Sequence, residues 1–363
     1  MKMIPWWNVE LSEDAASAVA EAVRTRSVSM GKITSVLELR ISELLDVPHV
    51  IACGSGTEAL TLALLEAGVG PGDEVVVPDR TWIATAHAPY LLGARPVLVD
   101  TLPGVSLMDP DAFAKAITVR TKVVIPVDLN GRLCDMPAIR NIADKHGIKI
   151  VSDSTQALFC SYPDGGYAGT RSRSGCFSMS VAKLIPAGQG GFVVTGDNTV
   201  ADRLRMMRVH GTQSVQDTCW ELPGGNFRLT DLHAAIALVH FNKKDELIAG
   251  VHSTYDYYAS RLEDSESLRL IRYDDASDAI PLYPEVLCTD QSGLLHFLAE
   301  RRISARPAYA PLHSAAHFGQ QDRKFPYADF WGQAVMLPAG PSRNKEELGV
   351  VVDALTAWQR NKI

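Results

Sequence analysis

Between residues 49 and 153, short apolar runs alternate with amphipathic stretches. HVIAC passes through a glycine turn into TEALTLALLEAG, and EVVVPD follows. The pattern repeats through TWIATAHAPYLLG, ARPVLVD, DPDAFAKAI, TKVVIPVD, MPAIRNIADKHG and IKIVSD. Short runs rich in Val and Ile and bounded by turn residues read as strands, and the stretches between them carry a helical period. This alternation predicts the α/β class, with a mostly parallel central sheet covered by helices on both faces. GGFVVTGD, at 190–197, is the candidate for one antiparallel member.

The flanking regions differ in texture. Ser12 followed by Glu13 and Asp14 predicts a helix start, with Ala15, Val19 and Val23 along one stripe. A second helix is predicted over 32–46, amphipathic through Val36, Leu39 and Leu44. Residues 212–230 read as loop and 231–262 as one long helical stretch. IPLYPEVLC, SGLLHFLAERR and KEELGVVVDALTAWQ then supply the short strands and helices of a smaller α+β domain. The predicted organisation is a large domain over 1–235, whose first 30 residues form an N-terminal arm, and a small C-terminal domain over 236–363.

Composition narrows the function classes. The chain has 363 residues, 46% apolar and 21% charged, with a formal charge of −7. An acidic balance of this size argues against a nucleic-acid or anionic-membrane partner, while leaving room for a local phosphate pocket. The six cysteines (Cys53, Cys134, Cys160, Cys176, Cys219, Cys288) form no C-x-x-C pair and show no zinc spacing, so no metal site is expected. They read as reduced thiols. MKMIPWWNVELSED has no apolar core of a signal peptide, and no run of about 18 apolar residues occurs. A cytoplasmic location is expected.

Candidate chemistry gathers at the turns after the apolar runs. Gly54-Ser55-Gly56-Thr57-Glu58-Ala59 matches G-x-G-x-x-A, and Asp79 ends the next strand, which is the dinucleotide fingerprint in outline. A Gly/Ser/Thr turn at a helix N-terminus offers its N–H groups and hydroxyls equally well to a single phosphate. Trp82 follows a strand end, where an indole can stack on a planar ring. Asp153 closes one strand and Lys183 follows 183 − 153 = 30 residues later, with Gln156 and Ser178 between them. A lysine for a Schiff base and an acid partner for a pyridine nitrogen are what pyridoxal phosphate chemistry requires. An NAD(P)-dependent enzyme gives these four residues no role.

Taken together, GSGTEAL, PDRTWIATA, GARPVLVD, VDLNGRLCDM, VSDSTQA, CFSMSVAK with AGQGG, RVHG, GGNFRLTDLHAA and PLH cover roughly residues 5–340. In this order and spacing the chain resembles the nucleotide-sugar and aminocyclitol aminotransferases of the fold-type I pyridoxal phosphate superfamily. The resemblance implies that Lys183 is the Schiff-base lysine and proton shuttle and that Asp153 pairs with the pyridine nitrogen. It places Gln156 near the phenolic oxygen and Trp82 on the ring. Gly56 and Glu58, through backbone N–H groups, would hold the phosphate with Thr57 and Ser178. Asn226 would reach the phosphate of a neighbouring subunit, giving a homodimer with shared sites. Arg228 and His313 are candidates to contact substrate. The related 3-dehydratases carry histidine at the lysine position, so Lys183 favours transamination. The implied reaction moves an amino group from Glu or Gln to a keto-sugar, nucleotide-linked, or to a keto-cyclitol. The competing class is a non-catalytic regulatory or binding protein on the same fold, against which the intact Lys183 and Asp153 argue. The chain departs from the family pattern at Asn130, where an aromatic residue is usual, at D-S-T-Q-A, and at SMSVAK.

Overall fold

A computed structural model describes residues 3–213, 219–273 and 278–360. The apolar runs form strands β1 (His49–Cys53), β2 (Glu74–Pro78), β3 (Arg95–Val99), β4 (Thr121–Val124), β5 (Lys149–Asp153), β6 (Ser174–Ser178) and β7 (Gly191–Thr195). They make one sheet in the order β1-β7-β6-β5-β4-β2-β3. β7 runs antiparallel to both neighbours and the remaining pairs are parallel, as the sequence pattern indicates. Because side chains alternate across a strand, β2 feeds two cores. Val75 and Val77 join Leu98 and Val123 on one face, and Val76 joins Val97 and Val124 on the other. Both faces are therefore dry, which accounts for the near-continuous apolar strands.

The intervening stretches form helices α1 (Glu13–Arg24), α2 (Lys32–Leu45), α3 (Gly56–Glu66), α4 (Ala84–Leu91), α5 (Pro110–Ala116), α6 (Met136–His146) and α7 (Asn198–Met207). After them come α8 (Asp231–Asn242), α9 (Lys244–Ala259), α10 (Gln291–Glu300), α11 (Pro326–Trp331) and α12 (Lys345–Arg360). Strands β8 (Leu268–Leu270), β9 (Glu285–Cys288), β10 (Arg306–Pro307) and β11 (Ala334–Met336) form a second sheet, antiparallel throughout, in the order β10-β11-β9-β8. Leu294 and Leu298 of α10, Tyr258 of α9 and Leu355 of α12 pack with it in a third core. No helix of the described residues is long and apolar enough to cross a membrane.

Three local expectations need correction. The buried residues of α1 are Ala15 and Ala22, whereas Val23 is exposed. α1 packs on α8, whose buried residues include Ala234, Ala235 and Ala237. In α2 the buried stripe is Thr34, Leu37, Ile41 and Leu45, and Val36 and Leu39 face outward. The expected long helix over 231–262 is two helices, broken at Lys243, whose ψ of 16° departs from the helical range.

The register of α2 is fixed from a distance. Its N-cap is Gly31, which has no capping side chain. Asp231 of α8 takes that role, accepting from the N–H groups of Gly31 (2.9 Å), Ile33 (3.2 Å) and Thr34 (2.9 Å) and from Thr34 Oγ1 (2.7 Å). The first N–H groups of a helix otherwise lack partners. Asp231→Ala should therefore lower the unfolding free energy by about 3 kcal/mol, because it strands several donors in a buried site. Urea titration checks this, and a loss below about 0.5 kcal/mol would assign the capping no weight.

Candidate active site

Asp153 ends β5, where alternation along KIVSD has already spent Ile150 and Val151 on the cores. Its carboxylate is buried and held from two sides. Thr85 Oγ1 of α4 donates to Oδ2 at 2.7 Å, and Thr155 donates to Oδ1 from its N–H (3.2 Å) and its hydroxyl (2.7 Å). Three donors fix its orientation.

Lys183 sits on the turn after β6. The turn is closed by Met179 N–H to Gly190 O (2.8 Å), Ala187 N–H to Met179 O (2.8 Å) and Lys183 N–H to Ser180 O (3.0 Å). Tyr283, from the segment before β9, donates its hydroxyl to Ala182 O. Lys183 Nζ makes no hydrogen bond or ion pair among the described residues. Burial pulls its pKa from the ordinary 10.5 down to about 8, against the opposing pull of the Asp153 charge. The neutral, nucleophilic amine thus predominates once the pH passes about 8. In cofactor-free protein, labelling of Lys183 by trinitrobenzenesulfonate, mapped by mass spectrometry, should rise with a midpoint near 8. A midpoint at the ordinary 10.5 would mean that the amine is solvated.

The third part is the start of α3. Ser55 is its N-cap, accepting from the Glu58 N–H at 3.1 Å, and Glu58 Oε2 accepts from the Gly54 N–H at 2.9 Å. The helix begins so close to the end of β6 that a Cβ on Gly56 would lie 2.8 Å from Ser178 Cβ. Glycine at 56 lets the positive end of the helix and the Ser178 hydroxyl converge.

These parts line one cavity of about 680 Å³. Of the residues selected from the sequence, it contains Gly56, Thr57, Trp82, Asp153, Gln156, Ser178 and Lys183. Trp82 is 60% exposed at its edge. Gln156 Oε1 accepts from Tyr309 Oη (2.8 Å) and from the Asn130 N–H (3.2 Å), which leaves its amide N–H groups to face a ligand. Four selected residues lie outside the lining. The Glu58 N–H is committed to Ser55, as above. Asn226 is not without a local partner, contrary to expectation, because Arg228 Nε donates to its Oδ1 at 2.8 Å. His313 is turned away, with Nδ1 2.7 Å from Asp79 Oδ2 and its N–H donating to Asp79 Oδ1 at 2.7 Å. Its neighbours Leu312 and Ser314 form the wall instead.

The same contacts remove the dinucleotide reading of GSGTEA. The Asp79 carboxylate is fully buried and engaged by His313, so it has no free edge for a ribose.

Sequence reasoning missed Thr85, Thr155, Tyr309 and Arg306. The hydroxyls at 81 and 85, one helical turn apart after a strand end, were a usable signal for Thr85. Tyr309 and Arg306 arrive from the second sheet, and no local pattern marks them.

An unpartnered buried amine, a fixed carboxylate and a helix N-terminus made narrow by Gly56 fit the carbonyl, ring nitrogen and phosphate of pyridoxal phosphate. Fold and cavity together define a pyridoxal-phosphate-dependent enzyme of fold-type I. The family model described as the DegT/DnrJ/EryC1/StrS aminotransferase family matches residues 9–356, and the chain belongs to that family of transaminases. GDP-perosamine synthase of Caulobacter vibrioides is 32% identical over 90% of this chain and 90% of its own. The dTDP-3-amino-3,4,6-trideoxy-alpha-D-glucose transaminase of Streptomyces venezuelae is 33% identical over 96% of this chain and 93% of its own. Among solved structures, the PLP-form of the putative sugar aminotransferase Spr1654 from Streptococcus pneumoniae superposes with a TM-score of 0.92. It is 25% identical and covers 99% of this chain and 100% of that one.

Proposed function

We propose that this transaminase carries an amino group from Glu or Gln to the ketone of a nucleotide-linked keto-sugar or of a keto-cyclitol. The observation that carries the reading is the placement of Lys183 Nζ and the Asp153 carboxylate on one cavity wide enough for cofactor and sugar together. When bound, pyridoxal phosphate supplies an electron sink for the carbon that loses its proton.

The chain's own residues do the rest. Lys183 would anchor the cofactor through Nζ and, with that amine free, would take up a proton and give it back. Its lowered pKa keeps that exchange near neutral pH. Asp153, oriented by Thr85 and Thr155, would hold a proton at the cofactor's ring nitrogen. The N–H groups of Gly56 and Thr57 and the hydroxyls of Thr57 and Ser178 bind the phosphate at the positive end of α3. Trp82 would cover the ring and exclude water. Arg306 stacks over Trp6 at 4.1 Å on the cavity wall and offers its guanidinium to a carboxylate or diphosphate.

Asn226 and Arg228 lie outside the cavity of their own chain, a position suited to service in the site of a second copy. The functional unit in this reading is a homodimer with shared sites. Sedimentation should show a dimer, and a fully active monomer would overturn that part. For the reaction, a panel of nucleotide-linked keto-sugars and keto-cyclitols is offered with Glu or Gln, and the amine product is read by mass spectrometry. At least one member should be aminated. Failure of the whole panel, with the cofactor spectrum intact, would overturn the acceptor class.

A further inference from the structure

A second cavity, of about 810 Å³, shares none of its described lining residues with the first. It is walled by the loops after β2, β3, β4 and β5, by residues 271–273 after β8, and by Glu285 of β9. Among the described residues its charges do not balance. Glu285 is 2% exposed and bracketed by two arginines, Arg80 (1%) and Arg132 (13%). Arg80 makes the close contact, at 3.0 Å to Oε1, and is further engaged by Ser106 Oγ and Ala308 O. Asn130 Nδ2 donates to Oε2 at 2.9 Å, leaving Arg132 only a 3.5 Å approach to the same oxygen. Two guanidinium groups thus share one carboxylate, and burial makes an uncompensated charge costly.

Arg132 is the group in surplus. Its guanidinium lies over the Tyr273 ring at 3.7 Å and donates from one nitrogen to Tyr273 Oη at 3.2 Å. Nε and the second amino nitrogen have no partner among the described residues. The acids elsewhere in the lining are committed. Asp164 pairs with Arg171, itself stacked over Tyr162 at 3.9 Å, and Asp135 accepts from the Ala138 N–H at the start of α6. Arg272 lies toward the surface beside Asp264.

The backbone that delivers Arg132 is specialised. Asn130 and Gly131 are both left-handed, at φ 53° and 79°, and a Cβ on Gly131 would lie 2.2 Å from Ile280 O. Such conformations cost free energy and recur at ligand sites. Asn130, the departure from the family's aromatic residue, tolerates this region and ties it down through Tyr283 O (2.7 Å) and Glu285. Leu102, Leu133, Ile271 and Trp331 complete an apolar wall.

We propose that this cavity binds a small organic anion, a carboxylate or phosphate joined to a flat apolar body, with the anionic head on Arg132. A planar guanidinium with Nε and one amino nitrogen free along the same edge suits either head group. The test titrates gel-filtered holoenzyme calorimetrically with 1-naphthoate, with 1-naphthyl phosphate and with uncharged 1-naphthalenemethanol. Both anions should bind saturably, the neutral compound about tenfold more weakly or worse, and the tighter anion names the head group. Arg132→Gln should weaken the anions about tenfold or more. On the wild type, the tighter anion should slow modification of the Arg132 peptide by hydroxyphenylglyoxal, which decides the matter even if the variant does not fold. Equal affinity for the neutral compound, unchanged binding in Arg132→Gln, or protection that spares Arg132 would each overturn the site.

Discussion

Lys183→Ala should lose transamination by on the order of 10⁴-fold, because in the proposed mechanism Lys183 moves the proton and the described cavity lining holds no second lysine and no histidine. Among the described residues nothing depends on Nζ for a hydrogen bond, so the deletion strands no partner. Stability follows from the direction of the pKa shift. Folding lowers the lysine from 10.5 to about 8, so as the pH falls through that window the unfolded chain takes up a proton that the folded chain refuses. The native lysine therefore costs stability below about pH 8, and the cofactor-free alanine variant should be no less stable than wild type at neutral pH. Loss of turnover with an undiminished urea midpoint is the expected pair of results. Borohydride reduction of the wild-type holoenzyme should leave the cofactor's mass on the peptide containing Lys183. Mass on another lysine would remove Lys183 from the role.

The parts of the fold legible in the sequence are those fixed by short-range pattern. Buried strands such as VVVP and KIVSD announce themselves because both faces must be apolar, and the Asp153 carboxylate was visible because it interrupts such a run at its end. The Gly56 turn was legible for a similar reason, since only a residue without Cβ allows α3 to start against Ser178. What stayed hidden depends on partners far along the chain. The face of α2 is chosen by Asp231, which binds Thr34 from 197 residues away. α1 packs on α8 with Ala15 and Ala22 buried, and the larger Val23 is left outside.

The site divides in the same way. The pair proposed as catalytic, Asp153 and Lys183, lies near in sequence, whereas some of the groups that position the cavity's side chains are remote. Thr85 reaches Asp153 across 68 residues, and Tyr309 reaches Gln156 across 153. His313 was selected for its chemistry, yet its partner is Asp79, 234 residues earlier. That contact spends the imidazole on placing Leu312 and Ser314 along the wall. Side-chain type indicates which groups are able to act, and only the tertiary contacts show which remain free to do so.

Asp153→Asn should reduce both half-reactions by on the order of 10²- to 10³-fold while leaving the fold nearly intact. The two effects separate because the amide keeps the shape of the carboxylate but not its charge. The asparagine carbonyl still accepts from the Thr155 N–H and hydroxyl, and the Thr85 hydroxyl can rotate to accept from the new NH₂. The expected stability cost is about 1 kcal/mol, the scale of exchanging charged for neutral hydrogen bonds. In the proposed role the carboxylate's charge would keep a proton on the cofactor's ring nitrogen, and a neutral amide would not supply it, so the electron sink that the cofactor would provide is weakened. Because the same sink serves donor and acceptor, single-turnover rates in the two directions should fall together. A variant altered only in substrate binding would instead change KM for one partner. Rates within about fivefold of wild type in both directions would show that the ring nitrogen takes its proton from elsewhere and that Asp153 serves only to order the end of β5.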